Sequence, residues 1–133
     1  MGLAASLVLV LALSGAQNGI VVAQSTYVSL YGQTYAITVV SDGPYAGRME
    51  HGVVVIVQVA GTTVCPDGIH PGRIAVSGRL TARQQAKAIL HETVHAATLC
   101  DPRNLSAEER IAQDVADLLA SPEGRFVLDG LRR

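Results

Sequence analysis

Basic residues are scarce and scattered in this chain. Ten Lys and Arg stand against eleven Asp and Glu, for a formal charge of −1, and none of the ten occurs before Arg48. No stretch concentrates positive charge, which excludes the electrostatic footprint of a nucleic-acid-binding surface. Cysteine is limited to Cys65 and Cys100. Two are too few for a disulfide scaffold, and their spacing is not that of a CxxC zinc or redox pair. In an exported protein they would join in one bridge; in a reducing compartment they would stay as buried thiols. Internal repeats and low-complexity tracts are also missing. At 133 residues the chain has room for one domain with a modest core.

Charge is absent altogether from residues 2–23, "GLAASLVLVLALSGAQNGIVVA". The run Leu3–Leu13, followed by Ser14-Gly15-Ala16 or later by Val21-Val22-Ala23, has the length and small-residue exit of a secretory signal peptide, although the usual basic start is missing. Uncleaved, the segment is just long enough to span a bilayer. Residues 1–24 are therefore read as a signal peptide or membrane anchor and residues 25–133 as the domain, placing it outside the cell or attached to a membrane; a misassigned start would leave it cytoplasmic. Release of the leader after Ala16 or Ala23 would go with a Cys65–Cys100 disulfide.

The stretch from Thr26 to Asp42 is rich in Val, Ile, Thr and Tyr and is interrupted at Gly32-Gln33, which predicts two strands joined by a tight turn. Residues 41–52 read as a loop broken by Gly43-Pro44 and Gly47. "VVVIVQVAG" is apolar and β-branched throughout, hence a central strand, and "TTVCPDGIHPG" reads as a second loop. "RIAVSG" is short and alternating, which suits an edge strand. From Thr81 the period becomes helical, with Thr81 and Gln84 forming a capping box and Asp101-Pro102 ending the helix. A second helix opens at Ser106, with Glu109 as its capping partner, and closes at Ser121-Pro122. A short terminal helix follows. Strands first and helices after define an α+β class, with a small antiparallel sheet of about three to four strands.

The first helix carries "HETVH" at His91–His95. Residues four apart share a helix face, about 6 Å between Cβ atoms, so His91 and His95 can direct two imidazoles at one ion. Zinc accepts neutral imidazole nitrogens, and a catalytic site adds a third protein ligand while leaving one position for water. Glu92, rotated by about 100° from His91, is placed to take a proton from that water. His51 and His70 lie in glycine-rich loops and read as surface residues.

For the third ligand the candidates are Asp101, Glu108, Glu109 and Asp114. With Ile111 centring the apolar stripe of the second helix, Glu108 falls about 60° away, between Val115 and Leu119. A carboxylate there needs a partner. Glu109 has its capping role, and Asp114, at the margin of the stripe, could accept a hydrogen bond from a ligand histidine. Glu108 is the expected third ligand.

Residues 73–124, from "RIAVSG" through "HETVHAATLCD" to "LLASPEG", resemble the compact phage- and prophage-type zinc metallopeptidases related to the ImmA/IrrE and SprT-like groups, and "VSLYGQTYAITVV" looks like their opening hairpin. The resemblance implies a zincin-like fold in which His91, His95 and Glu108 hold Zn2+ and Glu92 is the general base for hydrolysis of a peptide or protein. A second resemblance is to secreted metzincin-like proteases, since Asp101 stands six residues after His95; Thr98 occupies the position of their turn glycine, and with only Met1 and Met49 in the chain no Met-turn follows. No oxyanion-stabilising residue can be named from the sequence, Tyr45 and His70 included. A non-catalytic, envelope-anchored binding domain is the reading from another class.

Overall fold

A computed structural model describes residues 22–133; residues 1–21 of the leader, with the proposed cleavage after Ala16, fall outside the described residues. Strands β1 (Val22–Leu30) and β2 (Gln33–Val40) form an antiparallel hairpin. Its two-residue turn places Tyr31 and Gly32 at φ 43° and 80°, the left-handed pair whose twist matches that of antiparallel strands. β1 begins at Val22, inside the segment assigned to the leader. Thereafter come β3 (Tyr45–Glu50), β4 (Val53–Gln58), β5 (Gly61–Val64) and β6 (Gly72–Ser77), then helices α1 (Ala82–His95), α2 (Ala107–Ala120) and α3 (Arg125–Leu131). The class is α+β, as expected.

The main sheet has the order β1-β2-β6-β5 and is mixed. The expectation of a purely antiparallel sheet is corrected by β6, which runs parallel to β2 and antiparallel to β5. The chain leaves β2, makes a separate hairpin and then lays down β5 before β6, and that detour reverses its direction. β6 is accordingly interior, and the edge expected at residues 73–78 belongs to β5, inside the stretch read as a loop. Alternation in "RIAVSG" did not signal exposure on one side. Ile74 and Val76 face the helices, while Ala75 and Ser77 are small enough to be covered by the strands on either side, and all four are buried.

β4 is likewise displaced from its expected place at the centre. Among the described residues it pairs only with β3, in residues read as loop, through a second left-handed turn at His51 and Gly52, with φ 51° and 79°. β-Branched residues favour extended backbone without requiring burial. Met49, Val54 and Ile56 lie on one face of this hairpin and are exposed by 64%, 63% and 69%.

The core lies between one face of the main sheet and the helices. Val28, Leu30, Tyr35, Ile37, Ile74 and Val76 meet Ile89 on α1, Ala96 just beyond its end, and Leu118 and Val127 from α2 and α3. α3 approaches α1 so closely that a Cβ on Gly130 would lie 2.8 Å from the Ala82 carbonyl oxygen, which only glycine permits. The predicted capping box is present: the Thr81 hydroxyl accepts from Gln84 N–H, and the Gln84 amide oxygen accepts from Thr81 N–H. At α2 only the Ser106 half forms, accepting from Glu109 N–H.

α1 runs on into a wider π-helical turn, Ala96–Cys100, closed by the Asp101 N–H to the Ala96 carbonyl at 3.1 Å. This turn delivers Cys100 to Cys65, and the two are joined as a disulfide with Cα atoms 5.4 Å apart. The bridge ties the residue following β5 to the end of the helix that carries His91 and His95. Closing a loop between residues 35 apart in sequence, it should contribute about 2–4 kcal/mol. Urea unfolding of a Cys65→Ser/Cys100→Ser double variant is expected to show that loss, with β5 and the end of α1 exchanging their amide hydrogens first; a midpoint equal to that of the oxidised wild type would contradict it.

Candidate metal centre

His91 and His95 project from the last turn and a half of α1 with their Nε2 atoms 3.0 Å apart and their rings nearly perpendicular. Two bonds of about 2.0–2.1 Å to one tetrahedral ion would separate such nitrogens by about 3.3 Å. The pair is therefore within a few tenths of an ångström of a chelating arrangement without any change of backbone. His91 is exposed, His95 half-buried and Glu92 buried. The Oε2 of Glu92 is 4.0 Å from His91 Nε2. Among the described residues these three are the group whose ligand atoms come together, all within 4.8 Å of one another. The donor set, two imidazoles and a carboxylate, could hold a metal ion.

Glu92 points away from solvent because it lies on the face of α1 that rests on β5. Its carboxylate has been accommodated there by two residues of that strand. A Cβ on Gly61 would lie 2.9 Å from Glu92 Cγ, so the glycine lets the backbone approach. The Thr63 hydroxyl donates to Glu92 Oε1 at 2.7 Å and lies 3.1 Å from the Glu92 carbonyl oxygen. Neither residue was foreseen. Thr63 and Glu92 are 29 residues apart, and no local pattern connects them; an isolated glycine opening a Thr-Thr-Val run was the one available sign of a close approach.

Glu108, the expected third ligand, does not join the group; it is exposed in the first turn of α2. Of the expected stripe of α2, Leu118 is fully buried, and so is Asp114 at its margin. Asp114 is met there by Arg103. Its guanidinium grips Asp101 through Nε at 3.1 Å and Nη2 at 2.8 Å, and reaches Asp114 Oδ1 through Nη2 at 2.9 Å. Asp101 and Asp114 thus serve this ion cluster and neither is near the histidines. Arg110 finishes the junction by donating from Nε to the Ala97 carbonyl, left open by the end of the helix, and from Nη1 to Leu105. His70 is exposed and paired with Asp67 at 2.9 Å, Tyr45 donates its hydroxyl proton to Asp42, and His51 caps the β3–β4 hairpin; none is in the His91–Glu92–His95 group.

No protein family, curated protein or solved structure matches this chain. Among the described residues no helix is long and apolar enough to cross a membrane.

One guanidinium cannot neutralise two buried carboxylates. Arg103 holds Asp101 below the usual carboxylate range, whereas burial, and then the proximity of Asp101, push Asp114 up to about 7. Asp114 Oδ2 is buried and has no hydrogen-bond partner. A raised folded-state pKa means that the Asp114 contribution to stability is complete below its unfolded value near 4 and is lost as pH rises through about 7. Asp101 has the opposite sign, its contribution being lost in acid. Asp114→Asn keeps an acceptor for Arg103 and a donor for Asp101. Its urea midpoint is expected to fall less than that of the wild type between about pH 5 and pH 8; equal falls would contradict protonation of Asp114.

Proposed function

We propose that the protein is a zinc-dependent peptide-bond hydrolase. The observation that carries the reading is the convergence of His91, Glu92 and His95 at the end of a helix seated on an edge strand. His91 and His95 would hold the metal. Zinc, when bound, supplies the positive charge that makes water acidic and a scissile carbonyl electrophilic. Glu92 accepts the proton that water gives up as its oxygen adds to the carbonyl carbon. It returns that proton to the amine nitrogen as the C–N bond breaks. The free side of β5, unpaired among the described residues, offers N–H and C=O groups on which an extended peptide can align beside Glu92. The presence of the Cys65–Cys100 bridge agrees with the secreted or membrane-attached location proposed from the leader.

One observation favours the non-catalytic alternative, the solvent-facing apolar side of the β3–β4 hairpin. That reading expects folded protein that cleaves nothing, with the same helix binding metal structurally or not at all.

Purified protein is expected to hold one zinc per chain by metal analysis, with His91→Ala and His95→Ala each losing it. Glu92→Gln should retain zinc and lose peptide hydrolysis by at least about a hundredfold. Glu108→Ala is expected to keep the metal, since Glu108 stands outside the group; loss of zinc in that variant would bring Glu108 into the site. Stoichiometric zinc in both histidine variants would overturn the assignment.

A further inference from the structure

We infer that Thr63 is the positioning residue for Glu92, fixing which carboxylate oxygen faces the histidine pair; this rests on the hydrolytic reading above. A glutamate side chain has three rotatable bonds, and a buried carboxylate that is free to turn is a poor base because either oxygen, or neither, meets the reacting water. Here the strand sets that orientation. Gly61 carries no side chain where a Cβ would lie 2.9 Å from Glu92 Cγ and 3.3 Å from Oε2, so the carboxylate lies close over the β5 backbone. Thr63 takes up Oε1 at 2.7 Å. Its β-branched side chain is stiff about χ1, and its hydroxyl also lies against the carbonyl oxygen of the same glutamate, which anchors it to the helix as well as to the carboxylate. Oε2 is left as the oxygen near His91.

Placement in the sheet gives this contact a second consequence. Gly61 and Thr63 project from the same face of β5 toward α1, and the outer edge of β5 is the one on which a peptide would align. Cys65, two residues beyond Thr63, is bonded to the end of the same helix. Substrate pairing and orientation of the base are therefore carried by one short strand that is pinned at its end.

The test compares wild type, Thr63→Val and Thr63→Ser. Valine keeps the shape and removes the donor, whereas serine keeps the donor. In metal-free protein at about pH 7, the Glu92 side-chain carboxyl carbon, observed by NMR, is expected to shift in Thr63→Val and to return to the wild-type position in Thr63→Ser. Zinc content should be equal in all three. With zinc, kcat for a responsive peptide should fall about tenfold in Thr63→Val with KM within about twofold, and recover in Thr63→Ser, as expected for one lost hydrogen bond to a charged group. A wild-type carboxyl signal and wild-type kcat in Thr63→Val would overturn the inference. A displaced signal in Thr63→Val together with a wild type that cleaves no peptide would instead overturn the hydrolytic reading, and with it any reaction for Thr63 to serve.

Discussion

The seam between α1 and β5 encloses a carboxylate, and much of the molecule is arranged around that fact. Taking an ionised group out of water is costly unless it is hydrogen-bonded, so Glu92 can lie on the inner face of α1 only where a donor meets it and where the opposing backbone leaves room. Thr63 is the donor and Gly61 the room. His91 and His95 then emerge at the open end of the same seam, next to the buried oxygen and still reachable from solvent.

A second cluster secures the far end of the helix. Asp101, Arg103 and Asp114 fasten the chain leaving α1 to the middle of α2, and Arg110 satisfies the carbonyl left open by the π-helical turn. Removing Arg103 would leave two carboxylates buried together, a more serious loss than that of an exposed ion pair. The disulfide acts on the same region from the strand side. The histidine pair thus sits on a helix held by Glu92 beneath it, by an ion cluster beyond it and by a covalent bridge from β5.

Short-range signals in the sequence translated directly into structure. Thr81 with Gln84, the Asp101-Pro102 stop and the β1–β2 turn each act within a few residues, and each appears where local chemistry puts it. The HExxH spacing similarly brings His91, Glu92 and His95 together, because helix geometry alone determines their separation. Pairing of strands depends on partners far along the chain. Neither the inward position of β6 nor the separation of β4 from the main sheet was legible, since Ala75 and Ser77 are buried for their size and the β4 valines form a strand without a covering layer. The same limit applies to the site. Asp101 and Asp114 drew notice as acids, but their use depends on Arg103, which lies two residues from one and eleven from the other.

The proposal of a metal-dependent hydrolase rests on a donor set and a base at the end of one helix, and the identity of the first shell is its most exposed point. X-ray absorption at the zinc edge, on protein loaded with one equivalent of zinc, addresses it directly. The account predicts a shell of nitrogen and oxygen donors with the multiple-scattering signature of two imidazoles, lost in the double variant His91→Ala/His95→Ala. A first shell with fewer than two imidazoles, or one unchanged in that variant, would contradict it.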